Sequence, residues 1–158
     1  MNLVFLFKIM NKINTSINIE LATKIAKEFK DTSVKGRYIT THDLEKFLMK
    51  LNNTSKISFK IIGASEENRN IYQIKIGNGL KKILIWTQMH GNECTGTKSA
   101  IDLINFMNTS DNKIVDHILS SCTIKIIPIL NPDGAEYFTR FNANKIDLNR
   151  DAVERKAK

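Results

Sequence analysis

Two apolar runs, each long enough for a buried strand, limit what this chain can fold into. They cover residues 83–87 and 123–130, and short apolar runs of this kind are typical of strands covered on both faces. Between them, residues 97–108 and 112–121 carry apolar side chains every three or four positions, which predicts two helices. A strand–helix–strand order predicts a crossover connection and two parallel strands, and therefore an α/β fold.

The chain before the first run is predicted to contain two helices and two strands. Apolar spacing predicts helices over residues 17–30 and 42–51, with Thr41 as the N-cap of the second, and Asp111 is the expected cap of the helix over residues 112–121. Alternating apolar positions predict half-buried strands in two short segments, Ile57 to Ile61 and Tyr72 to Ile76.

Two further segments are predicted to lack regular structure. Gly77-Asn78-Gly79 predicts a tight turn before the first apolar run. From Asn131 onward the apolar periodicity stops, so the last 28 residues are expected to be loop.

Most of the net charge of +8 lies in the first part of the chain. Residues 1–62 carry 11 basic and 5 acidic side chains, a net charge of +6. The chain has no block of like charges and no basic stripe with interleaved aromatics, so we expect no nucleic-acid partner.

The cysteines, the N-terminus and the apolar runs predict the cellular compartment of the protein. Cys94 and Cys122 form no C-x-x-C motif or disulfide framework, which fits a reducing environment. The N-terminus lacks the features of a signal peptide, and no apolar run approaches 18 residues. We therefore expect a cytoplasmic protein with no membrane partner.

The first candidate for chemistry is His90-Gly91-Asn92-Glu93, directly after the first apolar run. Ligand sites of open α/β sheets lie at the carboxyl ends of strands, and imidazole and carboxylate both suit Zn²⁺. Gly91 would let the backbone bend there. A second H-x-x-E, from His42 to Glu45, lies within a predicted helix and is interpreted as a chance match on a solvated face.

The second candidate follows the second apolar run, at the same predicted edge of the sheet. It comprises Asn131-Pro132-Asp133-Gly134, then Arg140, then Asp147-Leu148-Asn149-Arg150. Taken alone, the first of these motifs is simply a turn. Two of only five arginines fall in this segment, and the guanidinium fork is suited to binding carboxylates.

In this order the motifs resemble those of the zinc metallocarboxypeptidase family (carboxypeptidase A-like), over roughly residues 57–158. The resemblance implies a mostly parallel or mixed sheet flanked by helices, a three-layer carboxypeptidase-like fold that is incomplete at the C-terminus. Residues 1–56 would be an N-terminal leader with helices, and residues 57–158 the N-terminal portion of the catalytic domain.

The resemblance also implies a role for each motif residue. His90 and Glu93 would bind Zn²⁺, and Asp147 would accept a hydrogen bond from His90. Arg140 would act in catalysis by polarising the scissile carbonyl and would contact substrate. Asn149 and Arg150 would bind the terminal carboxylate of a peptide or protein substrate.

In the family, a third zinc-binding histidine and the general-base glutamate lie downstream of these motifs. We therefore expect this chain to be a fragment that lacks both. His117 is expected on a solvated helix face, Glu136 on a surface loop, and Cys94 in packing rather than as a nucleophile.

Three alternatives stay open. One is an N-acyl amino acid deacylase of the succinylglutamate desuccinylase or aspartoacylase type, although the residues from Asn131 to Gly134 and Arg140 favour a peptidase. Another is a non-catalytic binder of peptide tails. The third is a basic nucleic-acid module, which predicts salt-sensitive DNA binding that we do not expect. Substrate side-chain specificity and oligomeric state are not determined by these motifs.

Overall fold

The computed structural model describes residues 18–51, 56–109 and 112–157, and the chain divides into two compact units, residues 1–30 and 31–158. In the first unit, helix α1 (Ile19–Glu28) begins after Asn18, whose side-chain oxygen accepts a hydrogen bond from the backbone N–H of Leu21 at 2.8 Å. The helix predicted over residues 17–30 is confirmed with slightly shorter ends. None of the helices in the described ranges is long and apolar enough to cross a membrane.

The described residues of the second unit form four strands and four helices. The strands form one mixed sheet in the order β1-β2-β4-β3, in which only β3 and β4 are parallel. This pairing confirms the predicted crossover, although the sheet is mixed rather than mostly parallel. In chain order the elements are α2 (Thr41–Lys50), β1 (Ile57–Ala64), β2 (Asn70–Ile76), β3 (Lys81–Trp86), α3 (Thr95–Met107), α4 (Lys113–Ser121), β4 (Cys122–Ile127) and the short α5 (Pro132–Glu136).

One face of the sheet packs into the core. The register places Ile74 opposite Ile126 and Ile124 opposite Ile83, so β-branched side chains line this face across three strands. Isoleucine packs well on a pleated surface because its branched side chain fills the space between strands. The helices add buried side chains to the core, among them Leu44, Phe47, Ile101, Ile104, Val115 and Ile118.

The prediction that residues 83–87 form a strand covered on both faces is wrong for the described residues. β3 is the last strand of the sheet order, and Leu84 and Trp86 are 56% and 49% exposed. They share the exposed sheet face with Lys125, which pairs with Leu84. An apolar run predicts burial but cannot identify the element that would cover it.

Three helix details differ from expectation. Helix α2 is capped by Thr40, whose backbone N–H donates to Asp43 Oδ2 at 3.0 Å, whereas Thr41 is buried inside the helix. Asp111 lies outside the described residues, and α4 is capped by Asn112. Glu45 is not simply solvated, because it accepts a hydrogen bond from the hydroxyl of Tyr72 at 2.7 Å.

The turn at residues 77–79 does not form a hairpin, because β4 lies between β2 and β3. Its first glycine, Gly77, has φ of +73°, and a Cβ there would lie 2.4 Å from the carbonyl oxygen of Cys122. The glycine is therefore required both by its left-handed conformation and by the close passage of β4.

Candidate zinc and substrate site

The segments that follow β3 and β4 continue side by side beyond the sheet. Thr87 N–H donates to Ile127 O and Leu130 N–H to Thr87 O, both at 3.0 Å, and Asn131 N–H donates to Gln88 O at 3.2 Å. The two motifs therefore leave the sheet at the same edge, as the parallel crossover predicts.

His90 lies between two carboxylates. Its Nδ1 is 3.1 Å from Glu93 Oε1, and its Nε2 is 3.2 Å from Asp147 Oδ1. Both carboxylates can accept a hydrogen bond from the ring, but the side chain of Asp147 is 15% exposed and that of Glu93 is 62% exposed. A hydrogen bond to the less exposed carboxylate is stronger, so the proton of a neutral ring is expected on Nε2, facing Asp147. The lone pair of Nδ1 then lies on the side of Glu93. Nitrogen and carboxylate oxygen thus point to a common position, an arrangement suited to a divalent metal.

Asp147 links His90 to Arg140. Its second carboxylate oxygen accepts a hydrogen bond from Arg140 Nε at 2.9 Å, and Oδ1 also accepts from the backbone N–H of Asn149 at 2.9 Å. Burial on its own would raise the pKa of Asp147, but the hydrogen bonds from Arg140, Asn149 and His90 outweigh it and hold the pKa below its usual range. The carboxylate is therefore ionised at neutral pH.

Arg140 also reaches the candidate metal position. Its Nη1 lies 3.8 Å from Glu93 Oε1, while its Nε is held by Asp147. The guanidinium is thus fixed at one end and free to meet an additional oxygen at the other. A developing negative charge beside His90 and Glu93 would be stabilised there.

Asn149 and Arg150 are exposed next to this group. The backbone N–H of Arg150 donates to Asp147 O at 2.8 Å, and its Nη1 donates to Asn149 O at 2.9 Å. Within the described ranges no hydrogen bond joins either side chain to His90, Glu93 or Arg140. The turn places both side chains beside the site, where they are accessible to a ligand.

Asn131 joins the two motif loops. Its side-chain Nδ2 donates to Met89 O at 3.2 Å and to Arg140 O at 3.5 Å, and its Oδ1 accepts from Gly134 N–H at 2.9 Å. The residues from Asn131 to Gly134, expected to be a turn, instead cap and begin α5. Proline at the first helical position favours this start because its fixed φ suits the helix.

Asp133 is a buried anchor that no sequence pattern predicted. It is 1% exposed and accepts hydrogen bonds from the hydroxyl of Ser65 at 2.6 Å and from Arg69 Nη1 at 2.7 Å. Arg69 lies over the ring of Tyr137 and also pairs with Glu67 at 2.5 Å. The turn between β1 and β2 is thereby attached to α5, close to the loop that carries Arg140.

The described ranges do not complete a three-ligand zinc site. No group of three histidine, cysteine, aspartate or glutamate side chains within them is arranged to hold a metal. His117 is exposed on a helix, as expected, whereas Glu136 is exposed at the end of α5 rather than on a loop. Cys94 is buried with its Sγ facing Arg37 O at 3.2 Å. His90 and Glu93 thus fit zinc chemistry as two ligands, and a catalytic zinc site needs one more from the protein.

Comparison with known proteins agrees with the motif order. The sequence profile of the family described as zinc carboxypeptidase matches residues 44–155. The chain belongs to the zinc carboxypeptidase family. Membership makes it a relative of hydrolases that act as zinc-dependent metalloproteases on peptide C-termini.

Individual relatives support the same assignment. Carboxypeptidase M of Mus musculus is 31% identical over an alignment of 134 residues that covers 72% of this chain and 30% of that relative. Carboxypeptidase D of Rattus norvegicus is 32% identical over an alignment of 111 residues that covers 63% of this chain and 8% of that relative. The chain therefore spans less than a third of the length of either carboxypeptidase.

Solved carboxypeptidases share the fold. A metallo-carboxypeptidase from Burkholderia cenocepacia superposes with a TM-score of 0.65 at 21% identity, covering 71% of this chain and 32% of the other. A metallo-carboxypeptidase from Pseudomonas aeruginosa gives 0.56 at 19% identity, covering 87% and 32%. These neighbours confirm the expected carboxypeptidase fold, a mixed sheet flanked by helices.

Proposed function

We propose that this chain contributes the first two zinc ligands and the carboxylate-binding groups of a zinc-dependent carboxypeptidase. His90 Nδ1 and Glu93 bind Zn²⁺, and Arg140, Asn149 and Arg150 bind the C-terminal residue of a peptide or protein. The observation that carries the proposal is the Asp147 carboxylate, which lies between His90 Nε2 and Arg140 Nε at 3.2 and 2.9 Å.

The chemistry follows from these contacts. When bound, zinc supplies a Lewis acid and an activated water. Arg140, fixed through Nε by Asp147, offers its remaining N–H groups to the carbonyl oxygen as charge develops. The exposed Asn149 and Arg150 offer an amide and a guanidinium to the free carboxylate of the substrate, which distinguishes a C-terminal residue from an internal one.

The proposal includes a third zinc ligand and a general base supplied from outside the described residues. Its support is the absence of a three-ligand group within those residues and the small share of each relative that the chain covers. The 158-residue chain by itself should then bind zinc weakly and substoichiometrically, and show little turnover.

Zinc titration by calorimetry tests the metal assignment. The variants His90→Ala and Glu93→Gln should abolish the residual binding, because each removes one of only two ligands. His117→Ala is the matched control, since His117 is exposed on α4 and should leave binding unchanged. Zinc binding that survives both site variants but is lost in the control would place the metal elsewhere.

Peptide binding tests the carboxylate assignment. A short peptide with a free C-terminus should bind more tightly than the same peptide with a C-terminal amide, and Arg150→Met should remove the difference. Arg155→Met removes the same charge at a nearby position and serves as the control. Equal binding of acid and amide would contradict the proposed role of Asn149 and Arg150.

A substrate panel separates peptidase from deacylase chemistry. Any turnover should release C-terminal amino acids from peptides. Release confined to acyl groups of N-acyl amino acids would favour the deacylase branch. Binding of free-acid peptides without turnover by a chain whose zinc site is completed with a third ligand and a general base would indicate a peptide-tail binder.

A further inference from the structure

Three residues in a left-handed conformation each lie two positions before a residue of the candidate site. Gln88 (φ 50°) precedes His90, Phe138 (φ 52°) precedes Arg140, and Lys145 (φ 61°) precedes Asp147. A positive φ is uncommon in residues other than glycine and costs free energy unless the surroundings enforce it. Of these three residues, only Gln88 is buried, with 4% of its surface exposed.

Both polar atoms of the Gln88 side-chain amide make hydrogen bonds. Its Nε2 donates to Ile39 O and to Gly91 O, both at 2.8 Å, and its Oε1 accepts from the hydroxyl of Thr97 at 2.6 Å. Each of the two N–H donors therefore has its own carbonyl partner. Ile39 lies before α2, Gly91 lies in the loop that carries His90 and Glu93, and Thr97 lies in the first turn of α3.

The bond to Gly91 spans His90. Because Gln88 and Gly91 lie on either side of it, the amide closes a small ring that contains the backbone of His90. The backbone carbonyl of Gln88 also accepts from Asn131 N–H at 3.2 Å, which fixes the start of this ring to the end of β4. The backbone of His90 is thus held by the side chain of Gln88, and its ring is held through Nε2 by Asp147.

We propose that Gln88 is a positioning residue whose side-chain amide, rather than its left-handed backbone alone, holds His90 with Nδ1 toward Glu93 and Nε2 toward Asp147. This inference rests on the proposed function, since it concerns the orientation of a proposed zinc ligand. No other residue type offers two N–H donors and one acceptor at this length.

Two substitutions separate the effect of the Gln88 side-chain amide from the effect of its left-handed backbone. Gln88→Gly keeps the left-handed conformation without strain but removes the amide. Gln88→Glu keeps the length but, when ionised, has no N–H to offer Ile39 O and Gly91 O. Asn68→Gly is the control, because Asn68 also has a left-handed backbone, with φ of 61°, and lies exposed in the turn between β1 and β2.

The measurements use the metal-free 158-residue chain. In the unsubstituted chain, the ¹⁵N shifts of the His90 ring should show protonated Nε2 and unprotonated Nδ1. Both Gln88 variants should shift the two nitrogens toward averaged values. They should also speed hydrogen exchange at the amides of Asn92 and Glu93 by at least about tenfold, because buried carbonyls lose their donors.

In the control, ring shifts and exchange should match those of the unsubstituted chain. In both Gln88 variants, the hydrogen-exchange rate of the β4 amides should change by less than about twofold, because the effect is local. Unchanged His90 shifts and loop exchange in Gln88→Gly would overturn the proposal, because the backbone conformation would then be sufficient.

A measurement on the unsubstituted chain keeps the proposal testable if the variants unfold. The two side-chain amide protons of Gln88 should exchange slowly and at separate resonances; exchange at the free-solvent rate would overturn the proposal. None of these readouts requires zinc or turnover. A chain with a fixed His90 tautomer but no zinc binding would contradict the proposed function and leave the role of Gln88 intact.

Discussion

The backbones of Gly91 and Gly134 touch: a Cβ placed on Gly91 would lie 1.8 Å from the carbonyl carbon of Gly134. Gly91 belongs to the loop that carries His90 and Glu93, and Gly134 to the helix that leads to Arg140. Neither residue needs a positive φ, so the glycines are required by the close approach of two backbones rather than by a bend at Gly91. This contact brings the two motifs together.

Gly91→Ala should therefore destabilise the chain and separate the two loops. The added methyl group meets backbone atoms that cannot rotate away, so we expect a loss of at least about 2 kcal/mol in the free energy of unfolding, measured by urea denaturation. Gly63→Ala is the control, because a Cβ at Gly63 meets no atom within 4 Å. Equal stability of the two variants would show that the loops are free to move apart.

Asp133→Asn should destabilise far more than the same change at an exposed ion pair. Asp133 is buried and pairs with the partly exposed Arg69, so neutralising Asp133 leaves Ser65 and Arg69 with weakened partners and should cost about 2–4 kcal/mol. Asp116→Asn removes the exposed pair with Lys56 at 3.2 Å and should cost less than about 1 kcal/mol. The two losses are compared by thermal unfolding; similar values would mean that the Arg69 contact adds no stability.

The crossover was predictable from sequence because its signals are local. Apolar periodicity changes from two to near four between residue 76 and residue 108, and this change alone predicts parallel β3 and β4 and a common edge for His90 and Asn131. The resemblance then supplied the expected contact between His90 and Asp147, which the structure shows at 3.2 Å. The catalytic and binding roles of these residues stay predictions.

The contacts that fix the site were not predictable, because they join residues far apart in sequence. Arg69 and Asp133 are separated by 64 positions, and Gln88 and Ile39 by 49. Arginine and glutamine are common surface residues, so nothing local marks them as buried partners. The position of β3 at the end of the described sheet was missed for a related reason, since an apolar run does not name its neighbours.

The stability contributed by Asp31 should depend on pH. Burial alone would raise the pKa of Asp31, but hydrogen bonds from Ser33 and from the backbone N–H of Val34 lower it below 3.8. A lowered folded-state pKa gives stability that is fully present above the unfolded-state value and is lost as pH falls through the folded-state value.

Asp31→Asn should therefore be less stable than the unsubstituted chain by about 1 kcal/mol near pH 7, because a charged acceptor is stronger than a neutral one. The difference should shrink as pH falls below about 4. Urea denaturation at several pH values measures it, and Asp116→Asn controls for the loss of one negative charge. A difference that grows toward low pH would contradict the assignment.

Asp147→Asn should weaken zinc binding without unfolding the chain. The carboxylate accepts from both His90 Nε2 and Arg140 Nε, and an amide has only one oxygen to offer them, so the ring loses its fixed orientation. Loss of such a partner typically lowers metal affinity by about 10- to 100-fold. A zinc titration followed through the His90 ring resonances measures the change. Asp151→Asn is the matched control, because among the described residues the Asp151 carboxylate accepts hydrogen bonds only from the backbone N–H groups of Lys156 and Ala157, at 2.8 Å. If Asp147→Asn binds zinc as well as Asp151→Asn does, the orientation of His90 must come from its backbone, and Gln88 becomes the group that sets it.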